Sequence, residues 1–478
     1  MPLEGLVDGS ARDVDDAADF VVIGSGAAGA TCARWLTAAG RSVIVVEEGG
    51  PPRPARGDGF EAFSTLYRDG GVQAALGGDV LPLLQGRCVG GSTYVGGAIQ
   101  VGFPEEVWAE WVAADPRWAT RLPWAALDSA RDRLDRELNV QKTPRELWGD
   151  SGSAMFRALG GRATATWRNA PGCHGSGRCM QGCPNGAKTS ADVALLPKAI
   201  ARGARVYARC KVDRIVIENG AATGVSGHFA SGKVLTAKAK RAVIVAASAI
   251  QTPWLLQKSG VKGVGVGFMT HPSATMAGLF HRPMDGAGAT QSMESLAFRG
   301  DGFQLESLGL PRTLTAARVP GIGGAFSERL EQLDHVGIWG VGARAKARGR
   351  VIRGPWGPIV RYTPTADDRR SLLRGLAVLA ESMLIAEALE LWPGIHGAPE
   401  VITTVKQARD LALLEPRQGI IPMVATHFFC GVPVDDRFQA GGVRGLVVAD
   451  SSIFPSNLGI NPMSSIMAVA TIVAESWV

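Results

Sequence analysis

Residues 19–50, "DFVVIGSGAAGATCARWLTAAGRSVIVVEEGG", leave this chain few options for how it can fold. Phe20–Ile23 is a short apolar, mostly β-branched run of the kind that parallel sheets bury on both faces. Gly24, Gly26 and Gly29 then give G-x-G-x-x-G, and Ala33, Leu36 and Ala38 follow at helical spacing up to Gly40. A second apolar run, "SVIVVE", ends on Glu47. Strand, glycine loop, helix, strand and acid in this order predict a βαβ unit that binds a dinucleotide. Gly24 makes the tight turn. Gly26 and Ala27 open the helix whose N–H groups face a pyrophosphate, and Gly29 lets that helix lie close on the strand. Glu47 is placed to accept from a ribose hydroxyl.

At 478 residues the chain has room for two or three compact units. No stretch approaches the roughly 18 consecutive apolar residues of a membrane span, so an integral membrane protein is not expected. The acidic start, "MPLEGLVDGSARDVDDAAD", has no basic-then-apolar export signal. It reads as a disordered arm ahead of the first strand, and the location expected from sequence is cytoplasmic. The net charge of +6 is spread thinly. Its densest basic run, "ARAKARGRVIRG" (343–354), lacks interleaved aromatics, which argues for a solvated face, or one that meets an anionic redox partner, over a nucleic-acid site. Seven cysteines in a chain this long do not make a secreted disulfide framework.

Further along, "KVDRIVIENGAATGV" (211–225) predicts two strands about an Asn-Gly turn. "VGIWGVGARAKARGRVIRGPWGPIVRYTPT" predicts short antiparallel strands with Gly-Pro turns, and "ADDRRSLLRGLAVLAESMLIAEAL" a long amphipathic helix with an acidic first turn. "NPMSSIMAVATIVAES" predicts a helix with Asn461 as cap and Pro462 in the first position. The tryptophans of 101–170 read as packing residues. Cys173, Cys179 and Cys183 give C-x5-C-x3-C followed by Pro184. That spacing offers neither the paired C-x2-C of zinc sites nor a redox C-x-x-C. Compact thiolate loops ending in Cys-Pro suit iron–sulfur clusters, while a structural or disulfide role stays open.

Four more blocks lie in a telling order: "GRCVGGST" (86–93), "AVIVAASAIQTPWLLQKSGV" (242–261), "VGFMTHP" (266–272) and "GLVVADSSIFPSNLGINPMSSIMAVATIVAES" (445–476). With the glycine fingerprint they resemble the glucose–methanol–choline (GMC) family of FAD-dependent alcohol oxidoreductases along nearly the whole chain. The resemblance implies a mixed α/β fold: a Rossmann-like FAD-binding domain and a substrate domain built on an antiparallel sheet with helices. The FAD-binding domain is then discontinuous (15–100, 185–270 and 425–478), the substrate domain takes 101–170 and 271–424, and 171–184 is the cysteine loop. FAD contacts are implied for Gly86, Arg87, Gly90, Gly91 and Ser92 in the second loop. Val212 is implied at the adenine, and Ala247, Asp450, Asn461, Pro462 and Met463 around the flavin.

Two residues carry the implied chemistry. His427, in "VATHFFCGV", takes the alcohol proton, and Asn461 holds the substrate oxygen while a hydride leaves the carbon. Phe428 and Phe429 make the substrate pocket more apolar. The cysteine loop is similar to that of bacterial FAD-dependent glucose dehydrogenase catalytic subunits. This implies a [3Fe–4S] cluster on Cys173, Cys179 and Cys183, with electrons passing to a small subunit and a cytochrome, or to a quinone, and export together with that partner chain. The alternative is an oxidase or isomerase of an apolar or aromatic alcohol, with dioxygen as acceptor and the cysteines structural. An alcohol or a sugar hydroxyl is the expected substrate on the first reading.

Overall fold

The structure, a computed structural model, describes residues 5–55, 59–284 and 288–478. One eight-stranded sheet runs in the order Leu6–Asp8, Arg205–Ala208, Val43–Val46, Val14–Ile23, Val234–Val245, Ala221–Phe229, Cys210–Glu218, with Leu446–Val448 also paired to Val234–Val245. The strands flanking Val14–Ile23 are parallel to it, and Phe20, Val21, Val22, Val43, Ile44 and Val45 have no exposed surface. Burial on both faces is why these runs are continuously apolar instead of alternating. The predicted hairpin forms at Asn219 and Gly220, both at positive φ as a type I′ turn requires.

The amino-terminal segment departs from expectation. The first fingerprint strand starts at Val14, because residues 14–18 pair in register with 235–239. Leu6–Asp8 adds a further strand beside Arg205–Ala208, so an arm was the wrong reading for these residues, while residues 1–4 lie outside the described ones. Acidic side chains on the exposed side of a half-buried strand do not prevent pairing on the other side.

A second sheet of eleven strands centres on the long strand Val266–Phe280, which pairs with Gly349–Arg353, Val424–Phe429, Val336–Ala343 and Ala388–Trp392 along its length. The expected boundary at 270/271 therefore falls inside one strand. Ala74–Leu76, Leu81–Pro82 and Val424–Phe429 also join this second sheet. Conversely, the helices Glu105–Ala114 and Trp124–Glu137 bury Val107, Trp111, Leu127 and Ala130 in the same core as the Rossmann strands. Sequence position alone does not say against which sheet an apolar stripe packs. The long helix Ala366–Ile385 forms with a capping box, Thr365 and Asp368 satisfying each other's backbone N–H groups. Between the two sheets lies a cavity of about 760 Å³.

Candidate functional site

One end of the cavity is built by the fingerprint. Gly24, Gly26, Ala27 and Glu47 line it. A Cβ on Gly29 would lie 1.9 Å from the Gly24 carbonyl oxygen, so helix Ala27–Ala38 sits as close to its strand as only glycine allows. Glu47 accepts from the Ser25 N–H (2.9 Å), the Ser25 hydroxyl (2.7 Å) and the Gly49 N–H (2.7 Å). Burial pushes its carboxyl up, and these three donors pull the other way. Ser25 Oγ also accepts from the Gly90 N–H at 3.1 Å, joining the fingerprint to the second loop. Nothing in the sequence pattern marked Ser25, which fills a free position between two glycines.

The second loop meets the first glycine to glycine. Gly86, Gly91 and Ser92 line the cavity, and a Cβ on Gly91 would stand 2.9 Å from the Gly26 Cα. Gly90 lies behind this wall, where a Cβ would stand 2.7 Å from Asp192 Oδ1. Arg87 is exposed and not part of the cavity wall, which corrects the expectation for it. Beneath the loop, the buried Lys188 ammonium donates to the carbonyls of Tyr94, Gly96 (2.9 Å) and Cys179 (3.0 Å). Val212, Ala247, Asp450, Asn461, Pro462 and Met463 complete this half of the cavity. Asp450 fixes the turn before helix Ser248–Lys258 by accepting from the Ser248 N–H (2.9 Å) and the Thr252 hydroxyl (2.5 Å). Glycines that let backbone approach, a ribose-side acid and a helix start at Met463 are the donor set that fits FAD.

At the other end two histidines meet. His427 Nδ1 lies 3.1 Å from His271 Nδ1, and their rings stack with 5.3 Å between centroids. Thr270 opposite Phe428 sets the register that places them on neighbouring strands, and Pro272, with no N–H to give, follows at a bulge. Both line the cavity. Burial holds His271 down at about 4, and burial together with His271 holds His427 well below the usual imidazole value. Both rings are therefore neutral at pH 7. His271 Nε2 abuts the backbone of Gly342, where a Cβ would be 2.5 Å away. The block containing His271 was visible in the sequence, but its partnership with a residue 156 positions later was not.

Asn461 belongs to a separate amide–carboxylate network. Its Oδ1 accepts from Gln304 Nε2 at 3.0 Å, and Glu306 accepts from Gln304 (3.2 Å) and from Gln291 (3.0 Å). Gln304 and Glu306 sit opposite Gly342 and Gly340, whose missing side chains leave a trench across the sheet. Buried without a cation, the Glu306 carboxyl is pushed up to about 7. Pro462, not Asn461, is the cap residue of the last helix, since the Asn461 side chain is committed to this network. Leu308, Leu310, Leu314 and Ala317 line the cavity beyond it together with Arg318, whose Nη2 donates to the Thr275 (2.9 Å) and Pro393 (3.0 Å) carbonyls. Phe429 is fully buried against Phe454 and does not reach the cavity. None of Trp108, Trp111, Trp118, Trp124, Trp148 or Trp167 lines it either.

Comparison with known proteins decides the family. The profile described as GMC oxidoreductase matches residues 63–273 and, in its second part, 346–470. The chain belongs to the GMC oxidoreductases. A profile described as FAD binding domain matches residues 19–75, in line with the glycine cradle. An uncharacterized GMC-type oxidoreductase of Mycobacterium tuberculosis is 34% identical, over 96% of this chain and 76% of its own length. A Sinorhizobium fredii GMC-type oxidoreductase is 31% identical over 96% and 94%. A long-chain-alcohol oxidase of Arabidopsis thaliana is 26% identical over 95% and 67%. Among solved structures, pyridoxine 4-oxidase from Mesorbium loti superposes with a TM-score of 0.69 at 16% identity, covering 96% of this chain and 99% of that one. That likeness establishes the mixed α/β fold, an FAD-binding part beside a sheet-based substrate part.

In this GMC protein the three cysteines of the loop each have a polar side chain of the protein beside the sulfur. The Arg168 guanidinium reaches both Cys179 Sγ (3.2 Å) and Cys173 Sγ (3.8 Å), and Cys183 Sγ lies 3.1 Å from Asn185 Oδ1. Among the described residues no three His, Cys, Asp or Glu side chains are placed to hold a metal ion. Lys188 and Arg168 offset burial and hold the Cys179 thiol below its usual value. Cys430 is buried in the Rossmann core with its thiol pushed up to about 12.

Proposed function

We propose that this chain oxidises an apolar alcohol to the carbonyl compound with His427 as the proton acceptor and FAD as the electron acceptor. The observation that carries the reading is one cavity lined by the FAD cradle, by the His271–His427 pair, by Asn461 and by Leu308, Leu310 and Leu314. FAD, held by the two glycine loops, Glu47, Val212 and the start of the last helix, would supply the hydride acceptor for the alcohol carbon.

The protein's own part is positional. Two neutral imidazoles sharing an Nδ1···Nδ1 contact allow only one of them to donate. With His271 accepting at its Nδ1, His427 donates from its own Nδ1 and keeps Nε2 bare for the alcohol proton. Asn461 Oδ1 accepts from Gln304, so its amide cannot flip without losing that bond, and its NH2 is left to donate to the substrate oxygen. Leu308, Leu310 and Leu314 receive the alcohol's carbon chain, a feature that favours apolar substrates over sugars and agrees with the long-chain-alcohol oxidases among the relatives. Anaerobic mixing of the purified flavoprotein with medium- and long-chain primary alcohols tests this. Bleaching of the flavin supports it, and no bleaching by any apolar alcohol overturns it.

For the electrons that follow, dioxygen is the acceptor this reading favours. Relay through a [3Fe–4S] cluster to a small subunit and cytochrome would need Arg168 to leave Cys173 and Cys179. Iron and sulfide analysis of anaerobically purified protein separates the two, since about three irons per chain would restore the relay.

A further inference from the structure

The basic run at 343–354 has no part in the cavity chemistry, and the structure gives it a shape. Gly349–Arg353 and Pro358–Arg361 form an antiparallel hairpin whose turn, Gly354–Gly357, carries Trp356 at its tip, 94% exposed. Val351 and Val360 pair across the hairpin and face inward, so the alternate residues face solvent. On that outer face Arg350 stands directly opposite Arg361, and Ile352 directly opposite Ile359. Arg353 is exposed beside the turn. The neighbouring strands extend the face with Val266 beside Arg350 and Leu76 beside Arg361, both more than half exposed.

Two features of this arrangement cost stability in a solvated edge. Like charges directly opposite each other on one sheet face repel, and Arg350, Arg353 and Arg361 have no ion-pair partner among the described residues. The stretch from 343 to 365 contains six basic residues and no acid of its own, and of the six only Arg344 has an ion-pair partner among the described residues, Glu110. A fully exposed tryptophan flanked by an exposed isoleucine pair is likewise out of place against water alone. The order along the outer face is an arginine row, an isoleucine row and an aromatic tip, with Arg353 beside the turn on the other face. That gradient matches a bilayer interface: headgroup charge at the collar, and the acyl boundary at the tip, where tryptophan prefers to sit.

We propose that the Gly349–Arg361 hairpin is a membrane-docking finger that inserts Trp356 and the Ile352–Ile359 pair into the surface of an anionic bilayer while Arg350 and Arg361 bind lipid phosphates and carboxylates. Charge complementarity identifies the occupant, and the exposed aromatic tip favours lipid over an acidic protein. No spanning helix is needed, and no described helix is long and apolar enough to cross a membrane. The surface is separate from His427, so the identity of the alcohol does not bear on it.

Co-sedimentation of the full flavoprotein with phosphatidylcholine vesicles, with and without phosphatidylserine, tests the finger. Wild type should partition into the phosphatidylserine vesicles, less so as salt rises. Arg350→Glu with Arg361→Glu should lower that partition at least about tenfold and remove its salt dependence. Trp356→Ser should weaken binding at every salt concentration. Bound flavin and melting temperature should be unchanged in both variants, since all the altered side chains are exposed. Failure of wild type to partition into either vesicle overturns the proposal, and retention on polyglutamate in that case assigns the face to an acidic protein. Equal partition of wild type and both variants also overturns it.

Discussion

His271→Leu removes the one nitrogen that faces His427 Nδ1 while keeping an apolar side chain of similar bulk in the same buried place. The contact at 3.1 Å is a neutral hydrogen bond, worth about 1 kcal/mol net in a protein. Its loss lets His427 carry its proton on either nitrogen, so the population with a bare Nε2 falls. At 1.4 kcal/mol per tenfold, reduction of the flavin by alcohol should slow about five- to tenfold. Rapid-mixing absorbance under anaerobic conditions reads this directly. Bound flavin and substrate saturation should change little, because His271 is expected to act through His427. His271→Asn, whose amide oxygen can accept from Nδ1, should recover part of the rate. Burial is the leading cause of the low His427 pKa and persists in the variant, so the acid limb of the pH profile should stay below 6.5. An unchanged reduction rate in His271→Leu would refute the positioning argument, and so would a loss that His271→Asn fails to relieve.

Other expectations follow from single contacts. Glu294 is buried with Oε2 unpartnered and its carboxyl raised to about 8, so its folded form keeps a proton that the unfolded chain has released above pH 4.5. Stability from this group is complete below 4.5 and is lost as pH rises toward 8, at about 1.4 kcal/mol per unit; Glu294→Gln should therefore melt higher than wild type at pH 8 and similarly at pH 4.5. Gly29→Ala places a Cβ against the Gly24 carbonyl, and the protein should be recovered without flavin absorbance or not folded at all. Lys188→Met strands the carbonyls of Tyr94, Gly96 and Cys179, and should cost about 3 kcal/mol or more in denaturant unfolding.

What the sequence made legible was local. The glycine fingerprint, the Asn219–Gly220 turn and the capped helix at 366–385 each lie within one short window, where propensity and spacing act. The missed features are all non-local. His271 meets His427, Gln304 meets Asn461 and Glu306 joins them only because strand register across a glycine-rich strand brings distant segments to one trench. The domain partition failed in the same way at 266–280, a strand long enough to pair with four others. The cysteine spacing was suggestive, yet spacing does not reveal that Arg168 and Lys188 stand beside the thiols. Arg87 illustrates the limit for single residues, since a loop can satisfy its motif and still turn one member to solvent.

The measurement closest to the central claim is flavin reduction by a long-chain primary alcohol in His427→Ala, mixed anaerobically beside wild type at equal flavin content. Loss of a positioned base should slow reduction by about 10²–10⁴-fold with FAD still bound. A variant that bleaches as fast as wild type would contradict the assignment of His427 and the mechanism built on it.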